Sequence, residues 1–108
     1  MNYGSRITPE PLRTFDSATL SGTYQAIGSA VAHVGCLAKI VNNSTVGITI
    51  SWNGSTDHDF IPANSFALYD ITTNAGGALA LYIPIGTTFY AKGSAGVGNI
   101  YLIVLYPS

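Results

Sequence analysis

The densest group of reactive side chains in the sequence is Asp57-His58-Asp59. On a β-strand, neighbouring side chains point to opposite faces, so His58 would lie away from both carboxylates, which is poor geometry for a three-ligand metal site. The two carboxylates and the carbonyls of Asn53 or Asn64 would begin a Ca²⁺ site, but that ion takes roughly six to eight oxygen ligands. A solvated strand start beside a turn explains the triplet better, and we predict no bound metal.

His33 and Cys36 are the other candidates for chemistry, as a base and a nucleophile close together in the chain. A lone cysteine that opens an apolar strand is more typical of a small core residue. The sequence also lacks a Gly-x-Ser-x-Gly elbow, a phosphate-binding loop and paired zinc-ligand spacing. We therefore predict no catalytic residues and no cofactor, and we expect that the protein is not an enzyme.

Aromatic side chains offer a different kind of site, since Trp52, seven tyrosines and four phenylalanines could stack on sugars. Most of the tyrosines fall inside apolar strands, where they are more typical of a core or an interface. A receptor- or glycan-binding module that uses the loops at residues 53–59 and 93–99 remains an alternative.

The composition points to a protein that is covered in an assembly. Charged residues make up 8% of the chain, where a soluble domain usually has roughly 25%. The net charge of −1 provides no basic patch for nucleic acid, and no apolar run is long enough to span a membrane. The first residues lack the pattern of a secretory signal, so we expect synthesis and assembly in a cytoplasm.

Periodicity predicts an all-β fold of about eight antiparallel strands and almost no helix. The predicted strands are residues 23–27, 36–42, 46–52, 56–61, 65–71, 79–83, 87–92 and 99–106. Turn signals roughly every eight to twelve residues favour a single β-sandwich, jelly-roll-like in topology, with an up-and-down barrel as the alternative. Residues 100–106 are apolar on both faces, so that strand should be central in its sheet or lie at a subunit contact.

Turn chemistry predicts how these strands connect. Residues 42–45 (Asn-Asn-Ser-Thr) should form a tight hairpin, and Asn53-Gly54 is a preferred type I′ pair. The glycine-rich residues 93–98 should join the last two strands as a hairpin with a longer loop, and residues 74–78 form a flexible connector. Pro62 and Pro84 should each end a strand.

Residues 1–22 do not follow the strand pattern and contain four of the charged residues. We predict an extended N-terminal arm here, followed by the sandwich domain at residues 23–108. The arm would cross onto a neighbouring subunit, and its contacts would be Arg6, Ile7, Leu12, Arg13, Phe15 and Leu20. The alternative is a segment that folds back on its own domain.

Several segments together resemble a known class of proteins: the arm at residues 9–13, residues 39–45 leading into residues 50–62, and the closing residues 89–93 and 99–102. Over the whole chain, the sequence resembles the small β-rich virion structural proteins of tailed bacteriophages. The resemblance implies a jelly-roll-like sandwich present in many symmetric copies, located in the virion and assembled in the host cytoplasm. The implied partners are copies of the chain and other virion proteins such as the major capsid protein. The implied function is capsid decoration or cement, with a head-to-tail ring or tail protein as the alternative.

Overall fold

The residues described by the computed structural model, 7–70 and 83–107, form nine β-strands and one short 3-10 helix at Ser17–Thr19. The strands are β1 (Ile7–Pro9), β2 (Arg13–Asp16), β3 (Gln25–Ala26), β4 (Leu37–Ser44), β5 (Ile48–Ser51), β6 (Asp59–Ile61), β7 (Ser65–Asp70), β8 (Tyr90–Lys92) and β9 (Gly98–Pro107). The same residues include no helix with the length and apolarity that a membrane span requires.

The strands form two antiparallel sheets that pack as a sandwich. One sheet has the order β1-β9-β4-β7, with β2 also paired to β9, and the other has the order β3-β8-β5-β6. Since β1 and β2 pair with different parts of β9, they act as one interrupted strand. The resulting eight strands pair first with last, second with seventh, third with sixth and fourth with fifth, which is a jelly roll. The predicted all-β sandwich is confirmed, and the barrel alternative is not.

The core lies between the two sheets because inward-facing apolar side chains alternate with outward-facing ones. Along β4, Ala38 and Ile40 are fully buried while their neighbours are half-buried. The other sheet contributes Ile48, Ile50 and Ala91 from its inner face. Each of the buried isoleucine side chains stabilises the fold by roughly 1.5–3 kcal/mol. Burial of these residues fixes the strand register, and with it the side chains that face outward.

Two predicted hairpins are wrong because both connections cross between the sheets. β4 ends at Ser44 in the first sheet and β5 begins at Ile48 in the second, so residues 42–45 do not form a tight turn. Residues 93–98 likewise carry the chain from β8 to β9 in the opposite sheet. Turn residues between two β-prone blocks predict a hairpin within one sheet. Here the chain instead crosses to the facing sheet, so that both blocks pack into the same core.

The pairing of β5 with β6 confirms a hairpin around Asn53-Gly54, but its loop is longer than predicted. Gly54 has a φ of +82°, whereas Asn53 is not in the left-handed region that a type I′ turn needs at both central residues. The Asn53 Oδ1 instead accepts bonds from the backbone N–H groups of Ser55 and Thr56, both at 2.9 Å. The predicted strand at residues 56–61 therefore begins only at Asp59.

Parts of two other strand predictions lie outside the described residues. These are residue 71, at the end of one predicted strand, and residues 79–82 of another, together with the connector at 74–78. Ile83, the last residue of the predicted 79–83 strand, forms an isolated antiparallel bridge with Gly35.

The N-terminal segment belongs to the sandwich. β1 and β2 pair with β9, and Leu20 is 5% exposed in the core. The predicted separate arm is therefore not found over residues 7–20, which fold back on their own domain, the alternative named above. This pairing also places β9 between β4 and the β1/β2 strand, which confirms the predicted central position. One apolar face of β9, with Ile100, Leu102 and Val104, is buried in the core, and the other points away from it.

Candidate interaction face

The side of the five-stranded sheet that points away from the core is apolar, and we call it the outer face. Alternation along the registered strands places nine apolar side chains there. They are Ile7, Pro9, Leu37, Val41, Phe66, Leu68, Tyr101, Ile103 and Leu105. Phe66 and Leu68 on β7 are 61% and 50% exposed. An exposed sheet normally presents polar side chains on its solvent side, so this face differs from a free surface.

The charged side chains that the described strands place on the outer face are Lys39 and two aspartates. Lys39 on β4 is the cation that the described strands place there, and its ammonium lies 5.0 Å from the centre of the Phe66 ring. Asp16 and Asp70 lie at the ends of β2 and β7, at the periphery. A shallow depression of about 220 Å³ at one end of the face is lined by Val41, Phe66 and Tyr101 among others. The face is suited to contact with another apolar surface.

The predicted arm contacts divide into exposed and buried residues. Ile7 and Leu12 are 53% and 58% exposed, so they are available to a neighbour. Phe15 is half-buried and packs against the core. Arg13 and Leu20 are buried in their own chain, which rules them out as intersubunit contacts in this conformation. Arg6 lies outside the described residues.

Arg13 is buried because it is part of an internal ion pair with Glu10. Its Nη2 lies 2.7 Å from the Glu10 Oε1, and the guanidinium also donates to the backbone carbonyls of Ser29 (2.8 Å) and Ala30 (3.1 Å). The stem of Arg13 crosses Gly28, where an added Cβ would lie 2.8 Å from the Arg13 Cβ and φ is +70°. These contacts fasten the loop before β4 to the β1/β2 strand.

The second oxygen of Glu10 holds the same loop from the other side. Glu10 Oε2 accepts bonds from the backbone N–H groups of Ala32 (3.1 Å) and His33 (2.9 Å) and lies 2.7 Å from the His33 Nδ1. A carboxylate only accepts, so this nitrogen carries the proton. The His33 ring stacks on Tyr106 at 3.7 Å. Burial alone would raise the pKa of the Glu10 carboxyl, but the bonds from Arg13 and His33 outweigh it and hold that pKa below its usual range.

The Asp57-His58-Asp59 triplet lies in the β5–β6 loop and at the start of β6, and its carboxylates bind side chains of the same chain. Asp57 accepts from the hydroxyl of Tyr24 and lies 3.0 Å from the Lys92 Nζ, and these two partners lower its pKa. Desolvation and the bond to Asp57 raise the pKa of Tyr24 to about 12. Asp59 accepts from the Tyr69 hydroxyl at 2.6 Å. The two carboxylates therefore join neighbouring parts of the sandwich.

The remaining candidate groups are also placed in structural roles. The His58 Nδ1 accepts from the backbone N–H of Trp52 at 3.0 Å. Burial raises the pKa of the Cys36 thiol, the opposite of what an activated nucleophile requires. Over residues 7–70 and 83–107, no group of three or more His, Cys, Asp or Glu side chains is arranged to hold a metal ion.

Sequence reasoning did not identify the β4, β7 and β9 residues of the outer face as a site. The signal was present in the two-sided apolar pattern of residues 100–106, which implied that both faces are covered. The neighbours of β9 were needed to extend this pattern to Val41, Phe66 and Leu68, and the sequence alone did not give that strand order.

Comparison with known proteins does not add a relative to this description. No family model matches the chain, and no curated protein or solved structure matches it significantly.

Proposed function

We propose that the chain is a structural protein of a bacteriophage virion that decorates or cements the capsid. The proposal rests mainly on the outer face, which is apolar across β1, β9, β4 and β7 and carries Lys39 as its cation within the described strands. Copies of the chain or a neighbouring virion protein would cover this face. The sequence resemblance described above supplies the virion context.

The size of the outer face supports a role in assembly. The sheet is four strands wide at about 4.8 Å per strand, and its strands are roughly 20–26 Å long. The flat area of the outer face is therefore about 400–500 Å². The largest contiguous apolar patch on a typical monomer is roughly 300–600 Å² and is often a functional site. Burial of apolar surface contributes roughly 25 cal/mol of favourable free energy per Å². Burial of this face would therefore offset part of the entropy cost of association. Many copies in a shell then combine modest contacts into a stable particle.

The internal polar clusters also support a structural role. The carboxylates of Glu10, Asp57 and Asp59 each bind partners within the chain. A protein that stabilises a particle needs a domain held rigid by such internal hydrogen bonds and an apolar contact face, and it needs no reactive group. The exposed Ile7 and Leu12 extend the contact surface at the β1/β2 edge.

Electron microscopy of phage particles with an antibody against the recombinant chain tests the proposal. We expect labels in a regular array on the capsid surface, at many copies per particle. Labels confined to the head-to-tail junction or tail would favour the alternative location. A chain that stays in the particle-free fraction of the lysate would contradict a virion role.

A further inference from the structure

The two sheets have four edges, and β7 is the longest edge strand in the described part of the chain. β7 has six residues, whereas the other edges are formed by β3 with two residues, β6 with three, and the interrupted pair of β1 and β2 with three and four. β1 also ends in Pro9, which has no N–H to donate. Short strands and prolines are common ways to prevent edge-to-edge pairing, and β7 has neither.

β7 also lacks the other protection that edge strands usually carry. Its sequence, Ser-Phe-Ala-Leu-Tyr-Asp, contains no Lys or Arg, and all six residues are in continuous register with β4 without a bulge. Among the described residues, β4 is the strand to which β7 is paired. The side chains of Phe66 and Leu68 lie beside this edge on the outer face and are 61% and 50% exposed. The edge is therefore suited to accept another strand.

We propose that β7 pairs antiparallel with β7 of a second copy, about a twofold axis that passes through Ala67. This inference deepens the proposed function and rests on it, because it identifies one contact by which copies of the chain assemble. The two five-stranded sheets would join into one continuous sheet, and their outer faces would form one larger apolar surface.

The charge on β7 selects this arrangement. Asp70 is the charged residue of the strand and lies at its end. In a parallel pair the two Asp70 side chains would be neighbours, whereas an antiparallel pair centred on Ala67 places them about 20 Å apart along the strands. Two copies of β7 can therefore pair in the antiparallel direction without bringing their Asp70 side chains together.

The side-chain pattern favours one register. Directly opposite residues in an antiparallel pair point to the same face, so a twofold joint that keeps both outer faces on one side must be centred on a residue. Centring on Ala67 places Phe66 opposite Leu68 of the second copy, twice by symmetry. Centring on Leu68 would instead place Asp70 opposite Phe66 and bring a charge against an apolar ring. The Ala67 register buries the two exposed apolar side chains of the edge against each other.

Mixed disulfide formation tests this register directly. Cys36 is the one cysteine in the sequence, so a Cys36→Ser background removes competing thiols. One pool of protein carries Phe66→Cys, and a second carries Leu68→Cys. Opposite positions have Cα atoms about 4.5–5.5 Å apart, within disulfide range, whereas like positions lie on a diagonal beyond about 7 Å. We expect cross-linked dimers when the pools are mixed and oxidised, at several-fold higher yield than in either pool alone.

A matched control uses Phe60, which is 60% exposed on the β6 edge, against 61% for Phe66. A Phe60→Cys pool mixed with the Leu68→Cys pool should cross-link no more than each pool alone. A second variant, Leu68→Lys, should weaken self-association of the full chain about tenfold or more in sedimentation velocity, because an edge lysine opposes strand pairing. Phe60→Lys should leave it unchanged.

The outcomes separate the joint from the proposed function. If the Phe66→Cys and Leu68→Cys pools give no excess cross-link, or Phe60→Cys reacts equally well, the β7 joint is wrong. Continued self-association and labelling of the capsid in that case would leave the proposed function intact. Cross-linking at β7 with no label on particles would instead support the joint and contradict the virion role.

Discussion

The buried ion pair of Glu10 and Arg13 makes a strong prediction about stability. In a Glu10→Gln variant, the side chain keeps its size but loses its charge, and its amide NH₂ faces donors from Arg13 or from Ala32 and His33. Arg13 is 8% exposed, so its charge would remain buried without a partner. Breaking a buried pair costs roughly 3–5 kcal/mol. A domain of this length is stable by about 5–16 kcal/mol, so the loss is a large fraction.

Urea unfolding at neutral pH, followed by fluorescence, measures this loss. Trp52 is the single tryptophan and its ring packs 4.6 Å from Phe89 in the core, so its emission reports on the native packing. Asp57→Asn serves as the control, because Asp57 is exposed and its removal should barely move the unfolding midpoint. A Glu10→Gln loss below about 0.5 kcal/mol, as for ordinary surface substitutions, would refute the reasoning.

The pH dependence of the same variant provides an independent check. The pKa of Glu10 is lower in the folded chain than the ordinary value of 4.5 for a glutamate in water. The stability that Glu10 contributes is therefore fully present above that value and is lost as the pH falls through the folded pKa. We expect the difference in unfolding free energy between wild type and Glu10→Gln to shrink as the pH is lowered below about 4.5. A difference that stays constant with pH would contradict the ion-pair interpretation.

Three further substitutions test other parts of the fold. Gly98→Ala should destabilise the chain strongly in thermal unfolding, because an added Cβ would lie 2.2 Å from the Asn43 carbonyl oxygen and φ is +116°; an unchanged melting temperature would contradict this close approach. Asn42→Ala should cost roughly 1–3 kcal/mol in urea unfolding, because the Asn42 amide donates to three backbone carbonyls at 2.8–3.1 Å; a loss no larger than the error would count against that network. Burial and the bond to Asp59 raise the pKa of Tyr69 above the ordinary value of 10.0, so Tyr69→Phe should reduce the part of a spectroscopic tyrosine titration that lies above that value; a loss confined to the part below it would show that the assignment is wrong.

The sandwich class could be predicted from the sequence because it depends on local patterns. Blocks rich in Ile, Val, Thr, Tyr and Phe with turn residues between them are enough to indicate strands. The apolar residues 100–106 predicted that their strand is central in its sheet or lies at a subunit contact, and the central position is confirmed. These inferences use only the side-chain types within each segment.

The connections and the arm could not be predicted because they depend on distant residues. The turn residues at 42–45 resemble a hairpin locally, but Asn42 bonds to the carbonyls of Ile61 and Pro62 and anchors a crossing between sheets. The charges near the N-terminus suggested an arm that crosses onto a neighbouring subunit, yet Glu10 and Arg13 find partners in the loop at residues 29–33. No local pattern reveals partners that lie about twenty positions away in the chain.

The central claim is that copies of this chain, alone or together with a neighbouring virion protein, cover its outer face, and sedimentation equilibrium of the full chain tests it most directly. Ile103 is half-buried in the middle of that face, and Val97, at 75% exposure, lies in the loop before β9. Wild type and Val97→Lys should both sediment with a mass several times that of one chain, and Ile103→Lys should sediment with a clearly lower mass than either. A wild-type chain that remains monomeric up to millimolar concentration would contradict the claim.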